Sequence, residues 1–131
     1  MIVVDASAAL EVLLRGPAAG TLEARLFAPG ETLHAPQVID LDIAQVLRRH
    51  TLAGLMTAER GAQALDLWRA FALRRWPHEA LLPRVWSLRE TLTAYDAAYI
   101  ALAEALDAPV LTTDAKLART AGHGARVEVV G

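Results

Sequence analysis

Apolar residues occupy consecutive positions at Ile2-Val3-Val4 and again at Val110-Leu111, whereas most of the chain spaces Leu, Ala, Val and Ile in steps of three and four. Consecutive apolar positions mark strands covered on both faces, and the wider spacing marks helices that bury one stripe. Short β-type runs are predicted at IVVD, TLHA, EALL, PVLTTD and RVEVV. Helices are predicted from about Ser7 to Leu14, Ala18 to Phe27, Pro36 to His50, Ala58 to Arg75, Pro83 to Leu92, Ala94 to Leu106 and Ala115 to Thr120. Gly16-Pro17, Pro29-Gly30, Gly54, Pro77 and Gly122 punctuate the pattern, with Pro36 read as a first-turn residue. Strands alternating with helices predict a parallel α/β sheet with helices on both faces. In such sheets ligands sit beyond the carboxyl ends of the strands, where Asp5 and Asp114 fall.

A length of 131 residues suits one domain with a real core, and 54% hydrophobic against 21% charged residues excludes a disordered chain. The net charge of −2 provides no global positive field, so an anionic partner must be met by local Arg residues or bound cations. The absence of cysteine excludes disulfides, thiol nucleophiles and zinc–thiolate sites. The longest apolar stretch, AAYIALAEAL, is broken by Glu104 and falls well short of the roughly 20 residues of a membrane span. A strand beginning at Ile2 leaves no room for a signal peptide, so a soluble cytoplasmic protein with no membrane partner is expected.

Four aspartates stand out by position. Asp5 follows Ile2, Val3 and Val4 where the chain turns into a helix, and an N-cap role explains it locally. Asp114 in VLTTDAKLA repeats the arrangement. At roughly 100° per residue, Asp42 shares an arc with Val38 and Val46 and faces inward, where it needs a partner such as Arg49 or a buried hydroxyl. The same arithmetic turns Asp40 by roughly 200° to the solvent side. Asp96 shares a stripe with Tyr99, Ile100 and Ala103, and capping by Thr93 offers a local account of it. None of the four has a Lys or Arg at i+4, and Lys116 points away from Asp114.

Brought into one cleft, such carboxylates repel by roughly 4 kcal/mol per pair at about 4 Å and an effective dielectric of about 20, so protons or cations must neutralise them. Carboxylate and hydroxyl oxygens without sulfur favour Mg²⁺ or Mn²⁺ over zinc, and His34, His50, His78 and His123 lack ligand spacing. Near a phosphodiester, such ions lower the pKa of a water and shield phosphate charge.

MIVVDASAALEVLL, APQVIDLDIAQVLRR, TAYDAAYIALAEAL and PVLTTDAKLA together resemble the PIN-domain ribonucleases, specifically the VapC-type toxins of bacterial type II toxin–antitoxin pairs. The resemblance spans essentially the whole chain, and YDAAYIALAE followed by VLTTD carries it most specifically. It implies a single PIN domain over residues 1–131, folded as a three-layer α/β/α sandwich with a central parallel sheet of four or five strands. It also implies an acidic pocket holding Mg²⁺ or Mn²⁺ and hydrolysis of phosphodiester bonds in single-stranded RNA. By position, Asp5, Asp96 and Asp114 match the family's acids; Asp42 stands where most members have Glu, which retracts its carboxylate by one methylene. Ser7 and Thr112 match hydroxyl positions that line the pocket in relatives. The family further implies a homodimer and a VapB-type antitoxin whose tail crosses the toxin's groove.

Arg48-Arg49 and Arg74-Arg75 are candidate RNA-phosphate contacts, and solvated helix ends explain them equally well. Trp68, Trp76 and Trp86, with Leu65, Leu67 and Phe71, offer either contact surface or core. Two rivals to the nuclease stay open. One is an inactive PIN-like module that grips RNA or protein without cutting. The other is an aspartate-phosphorylating α/β domain, which the chain opposes by placing Ala6 and Ser7 after Asp5, where further acids would be wanted.

Overall fold

Ile2, Val3 and Val4 are buried because their strand lies at the centre of the sheet. The computed structural model describes residues 1–131. Strands β1 (Ile2–Val4), β2 (Leu33–Pro36), β3 (Leu73–Trp76), β4 (Val110–Thr112) and β5 (Val127–Val129) form one parallel sheet in the order β3-β2-β1-β4-β5. The helices are α1 (Ala6–Leu13), α2 (Ala19–Leu26), α3 (Ile39–Leu52), α4 (Ala58–Arg69), α5 (Leu82–Ser87), α6 (Ala94–Leu106) and α7 (Ala115–Arg119). Helices α1 to α4 pack on one another, with α1 also against β4, while α6 crosses β1, β2 and β4 with α5 alongside. The two helical groups enclose the sheet as the expected α/β/α sandwich.

The chain builds outward from β1 through β2 to β3, then crosses back to place β4 on the other side of β1. This reversal leaves a crevice at the carboxyl ends of β1 and β4, the place where open α/β sheets bind ligands. Val4 pairs with Leu111 across these strands, so Asp5 and Thr112 leave the sheet side by side.

Several expected boundaries move. EALL is not a strand: Glu79–Leu81 is a 3-10 turn leading into α5, consistent with Pro83 in that helix's first turn. The helix expected to reach Arg75 ends at Arg69, and residues 73–76 form edge strand β3 instead. Pro36 belongs to the end of β2, not to a first helical turn. It lies beyond the stretch of β2 paired with β1, and Gln37 rather than Pro36 supplies the N–H to Trp76 O, at 2.9 Å. After α3, Gly54 takes φ 75°; its N–H bonds Thr51 O while Leu55 N–H bonds His50 O, a Schellman stop that a residue with a Cβ would strain.

The core is one cluster, and the tryptophans divide around it. Trp68 is buried, Trp76 donates to His34 Nδ1 at 3.0 Å beneath the Arg74 guanidinium, and Trp86 is exposed together with Leu67. Asp40 is not the free surface residue that the helical arithmetic implied. Its carboxylate accepts from Trp68 Nε1 at 2.7 Å and from Arg75 Nε at 2.9 Å, joining α3 to α4 and β3. Asp40→Ala strands the buried indole N–H and should cost about 2 kcal/mol, read as a lower urea midpoint with an unchanged m-value. Asp40→Asn, which keeps an acceptor for the indole, should lose less.

Candidate active site

The Asp5 carboxylate is the most heavily bonded of the four acids. As N-cap of α1 it accepts from Ala6 N at Oδ1 (2.9 Å), and Oδ2 accepts from Ser7 Oγ and Thr112 Oγ1, both at 2.7 Å. Ser7 Oγ in turn accepts from Thr113 N at 3.1 Å, and Thr112 Oγ1 accepts from Asp114 N at 3.0 Å. With both hydroxyl protons committed to Asp5, the 3.0 Å separation of Ser7 Oγ and Thr112 Oγ1 is a contact within this network rather than a further strong bond. The two hydroxyls therefore fasten the β1–α1 junction to the β4–α7 junction and fix where Asp114 begins. Thr112 is fully buried behind the site, whereas Ser7 lines it.

Asp114 caps α7 through Lys116 N at 2.9 Å and is otherwise exposed. Thr93 caps α6 by accepting from Asp96 N at 3.2 Å, which starts the helix so that Asp96 projects from its first turn. Asp42 sits on α3 beside the buried Ile39, Ile43 and Leu47, and accepts from the Tyr99 hydroxyl at 2.7 Å. Local capping and a buried hydroxyl thus each explain part of the arrangement. They do not explain its convergence.

Asp5, Asp42, Asp96 and Asp114 all line one cavity of about 410 Å³, together with Ser7, Gln45, Arg49 and Tyr95. None of these acids lies within ion-pair distance of a cation. Burial, followed by repulsion from Asp5, Asp114 and Asp42, pushes the Asp96 carboxyl above the usual aspartate range. Burial and then Asp5 do the same to Asp42, against the opposing hydrogen bond from Tyr99. Burial, with the negative charge of Asp42 beside it, raises the Tyr99 phenol and keeps it protonated.

The oxygen donors fit a hard divalent cation chemically. As the side chains stand, no three acidic or histidine groups are gathered closely enough to hold one ion together. Asp5 is turned toward Ser7 and Thr112, and Asp42 toward Tyr99. This donor set suits an ion that keeps most of its water and takes one or two carboxylates, the habit of Mg²⁺.

Arg49 lines the cavity, but Arg48 does not: neighbours on a helix diverge by roughly 100°, and Arg48 instead borders the groove between α3 and α4. Arg74 stacks on Trp76 and Arg75 is held by Asp40, so neither joins the acids. Gln45 and Tyr95 line the cavity and Tyr99 stands behind Asp42, three side chains beyond those expected at the site. Asp42, Gln45, Val46 and Arg49 follow the three-and-four spacing of one helical face, a signal that reaches Gln45. Tyr99 was visible only as a member of the Asp96 stripe.

Because folding raises the Asp42 and Asp96 pKa values, the folded state holds protons more readily than the unfolded chain, and stability falls as pH rises through that interval. Above the raised values the full cost is present; below about pH 4, where the unfolded chain is protonated too, it is gone. In chelator at neutral pH, Asp96→Asn should therefore melt higher than wild type, by about 4 °C for a gain of about 1 kcal/mol. Thermal scans should show that advantage shrinking toward pH 4; an unchanged or lower melting point at neutral pH would contradict the electrostatic account.

Residues 2–123 match the PIN domain family. The chain is 42% identical over 130 residues to Ribonuclease VapC9 of Mycobacterium tuberculosis, covering 99% of this chain and 98% of that one. It is 39% identical over 130 residues to Ribonuclease VapC12 of the same organism, covering 99% of both. Among solved structures, VapBC2 from Rickettsia felis, bound to a DNA fragment from its promoter, aligns with a TM-score of 0.75 at 15% identity over 100% of both chains. VapC20 of M. tuberculosis, a sarcin-ricin loop cleaving toxin, aligns with a TM-score of 0.71 at 16% identity over 95% of this chain and 97% of that one. The structural likenesses speak for the fold alone, and the full-length sequence similarity adds the family: this chain belongs to the PIN domain family, among its VapC members.

Proposed function

We propose that the chain is a metal-dependent endoribonuclease, hydrolysing phosphodiester bonds in single-stranded RNA as the toxin of a toxin–antitoxin pair. The observation that carries this reading is the meeting of Asp5, Asp42, Asp96 and Asp114, from separate elements and without a paired cation, on one cavity. Residues 1–131 act as a single PIN domain in this proposal. The names of the VapC ribonucleases that it resembles over nearly their whole length support the activity, and the likeness to a VapBC pair supports a VapB-type antitoxin as partner.

Asp5, Asp96 and Asp114, with Asp42, are the residues that would hold Mg²⁺ or Mn²⁺, one or two of them directly and the others through the water the ion keeps. A bound divalent ion supplies an acidified water and shields charge on the phosphate. The protein's own part is positional. Ser7 and Thr112 keep the Asp5 carboxylate anchored, and the Thr93 cap aims Asp96. Asp42 orients the attacking water as a hydrogen-bond acceptor, and Arg49 meets an RNA phosphate, a role supported by its place in the lining of the same cavity. Neighbouring negative charges make protonation of the empty cluster collective rather than the property of one acid.

Homodimerisation and cytoplasmic action complete the proposal; no helix is long and apolar enough to cross a membrane. Asp5→Asn and Asp96→Asn should each reduce Mn²⁺-stimulated cleavage of an unstructured, end-labelled RNA to background, and a chelator should do the same to wild type. Wild-type rates from a clean preparation of either variant would remove these residues from the reaction. RNA binding without cleavage, equal with and without chelator, would instead favour the inactive-module reading.

A further inference from the structure

The Asp42 carboxylate has a single hydrogen-bond partner, the Tyr99 hydroxyl, which donates to Oδ2 at 2.7 Å. The two residues lie 57 positions apart and come from α3 and α6, so the bond exists only in the assembled fold. Tyr99 is 1% exposed, its ring held in the main core, and its hydroxyl is therefore a fixed post rather than a mobile one. Asp96 precedes it by one helical turn and lines the same cavity as Asp42.

An aspartate carboxylate rotates easily about χ2, and its two oxygens are equivalent until something distinguishes them. With no other hydrogen-bond partner, the Asp42 carboxylate would be free to turn and exchange its two oxygens. The phenol removes that freedom. Resting on the metal-dependent reading of this cavity, the geometry points to Tyr99 as a positioning residue that acts through Asp42. It ties down Oδ2, so that Oδ1 is the oxygen left for an ion or for its bound water. Hydrogen bonds behind a ligating carboxylate set its orientation and strength as a donor. The bond also locks α3 to α6, so two of the elements supplying acids share one reference point.

Tyr99→Phe removes only the hydroxyl and keeps the ring that fills the core. Calorimetric titration of the folded protein with Mn²⁺ should show affinity lowered about ten-fold or more. Cleavage should lose kcat with the KM for RNA unchanged, since the hydroxyl does not touch the substrate. In an Asp42→Ala background, adding Tyr99→Phe should change neither Mn²⁺ affinity nor kcat, because the group through which it acts is gone. Melting curves in chelator identify the folded fraction of each variant and correct the titrations for it. Wild-type Mn²⁺ affinity in Tyr99→Phe, or an equal loss with and without Asp42, would overturn the positioning role while leaving the metal reading standing. Failure of the wild-type protein to bind Mn²⁺ would overturn both.

Discussion

The structure turns on the bonds between Thr112, Ser7 and the Asp5 carboxylate. They lie at the reversal of strand order, where β1 and β4 end side by side just beyond the Asp5 N–H to Leu111 O bond, the last one between the two strands. Two neutral hydroxyls fasten the junction there. A lysine or arginine would have anchored Asp5 as firmly, but it would also have cancelled its charge. Neutral donors orient the carboxylate and leave its charge in place. The junction is rigid because the donors are themselves held by backbone N–H groups of Thr113 and Asp114. Geometry and charge are settled by the same few atoms.

From that junction the other acids follow by packing. Helix α6 buries Ala97, Ala98, Ala101 and Ala103, whose small side chains permit close approach to the strands, and its capped first turn brings Asp96 to their ends. Helix α3 presents Asp42 from the opposite helical group, where Tyr99 of α6 reaches it. The cost is visible in Asp42 and Asp96, both pushed toward the protonated form by burial and by their neighbours. A fold selected for stability alone would pair or neutralise such groups. This one pairs several half-buried charges elsewhere, as in Arg25 with Glu31 and Glu128 or Arg84 with Glu104, and leaves the acids of one cavity without a cation partner. Repulsion retained in one place, amid compensation elsewhere, is the signature expected of a functional site.

What was legible from the sequence follows from where each signal is written. Helix α6 carries its cap, its stripe and its length locally, and its span of Ala94 to Leu106 is read without error. Strand β3 was hidden because LRRW is an edge strand: Arg74 and Arg75 carry no alternating apolar pattern, and the partners of Arg75, Trp68 and Asp40, come from tertiary neighbours. Asp40 failed for the same reason. Its angle on the helix was right for leaving the core face, yet α4 and β3 occupy the space beyond. The four acids were legible because strand ends and inward helix faces are local properties, whereas the hydroxyl behind Asp42 is a contact between helices and leaves no mark in either segment.

The same network bears on the rival in which Asp5 attacks phosphorus directly. A nucleophilic carboxylate needs an oxygen with a lone pair free to approach in line. Asp5 Oδ2 already accepts two short hydroxyl bonds, and Oδ1 accepts the Ala6 N–H as a helix cap. Each bond draws electron density from the carboxylate, so the one lone pair left, on Oδ1, belongs to a weakened nucleophile. Ser7, where that chemistry wants a second acid to shuttle the leaving group's proton, spends its own proton on Asp5. An anchored and hydrogen-bonded carboxylate is poorly suited to forming a covalent intermediate and well suited to holding a hydrated cation, so water is the more reasonable nucleophile at this site.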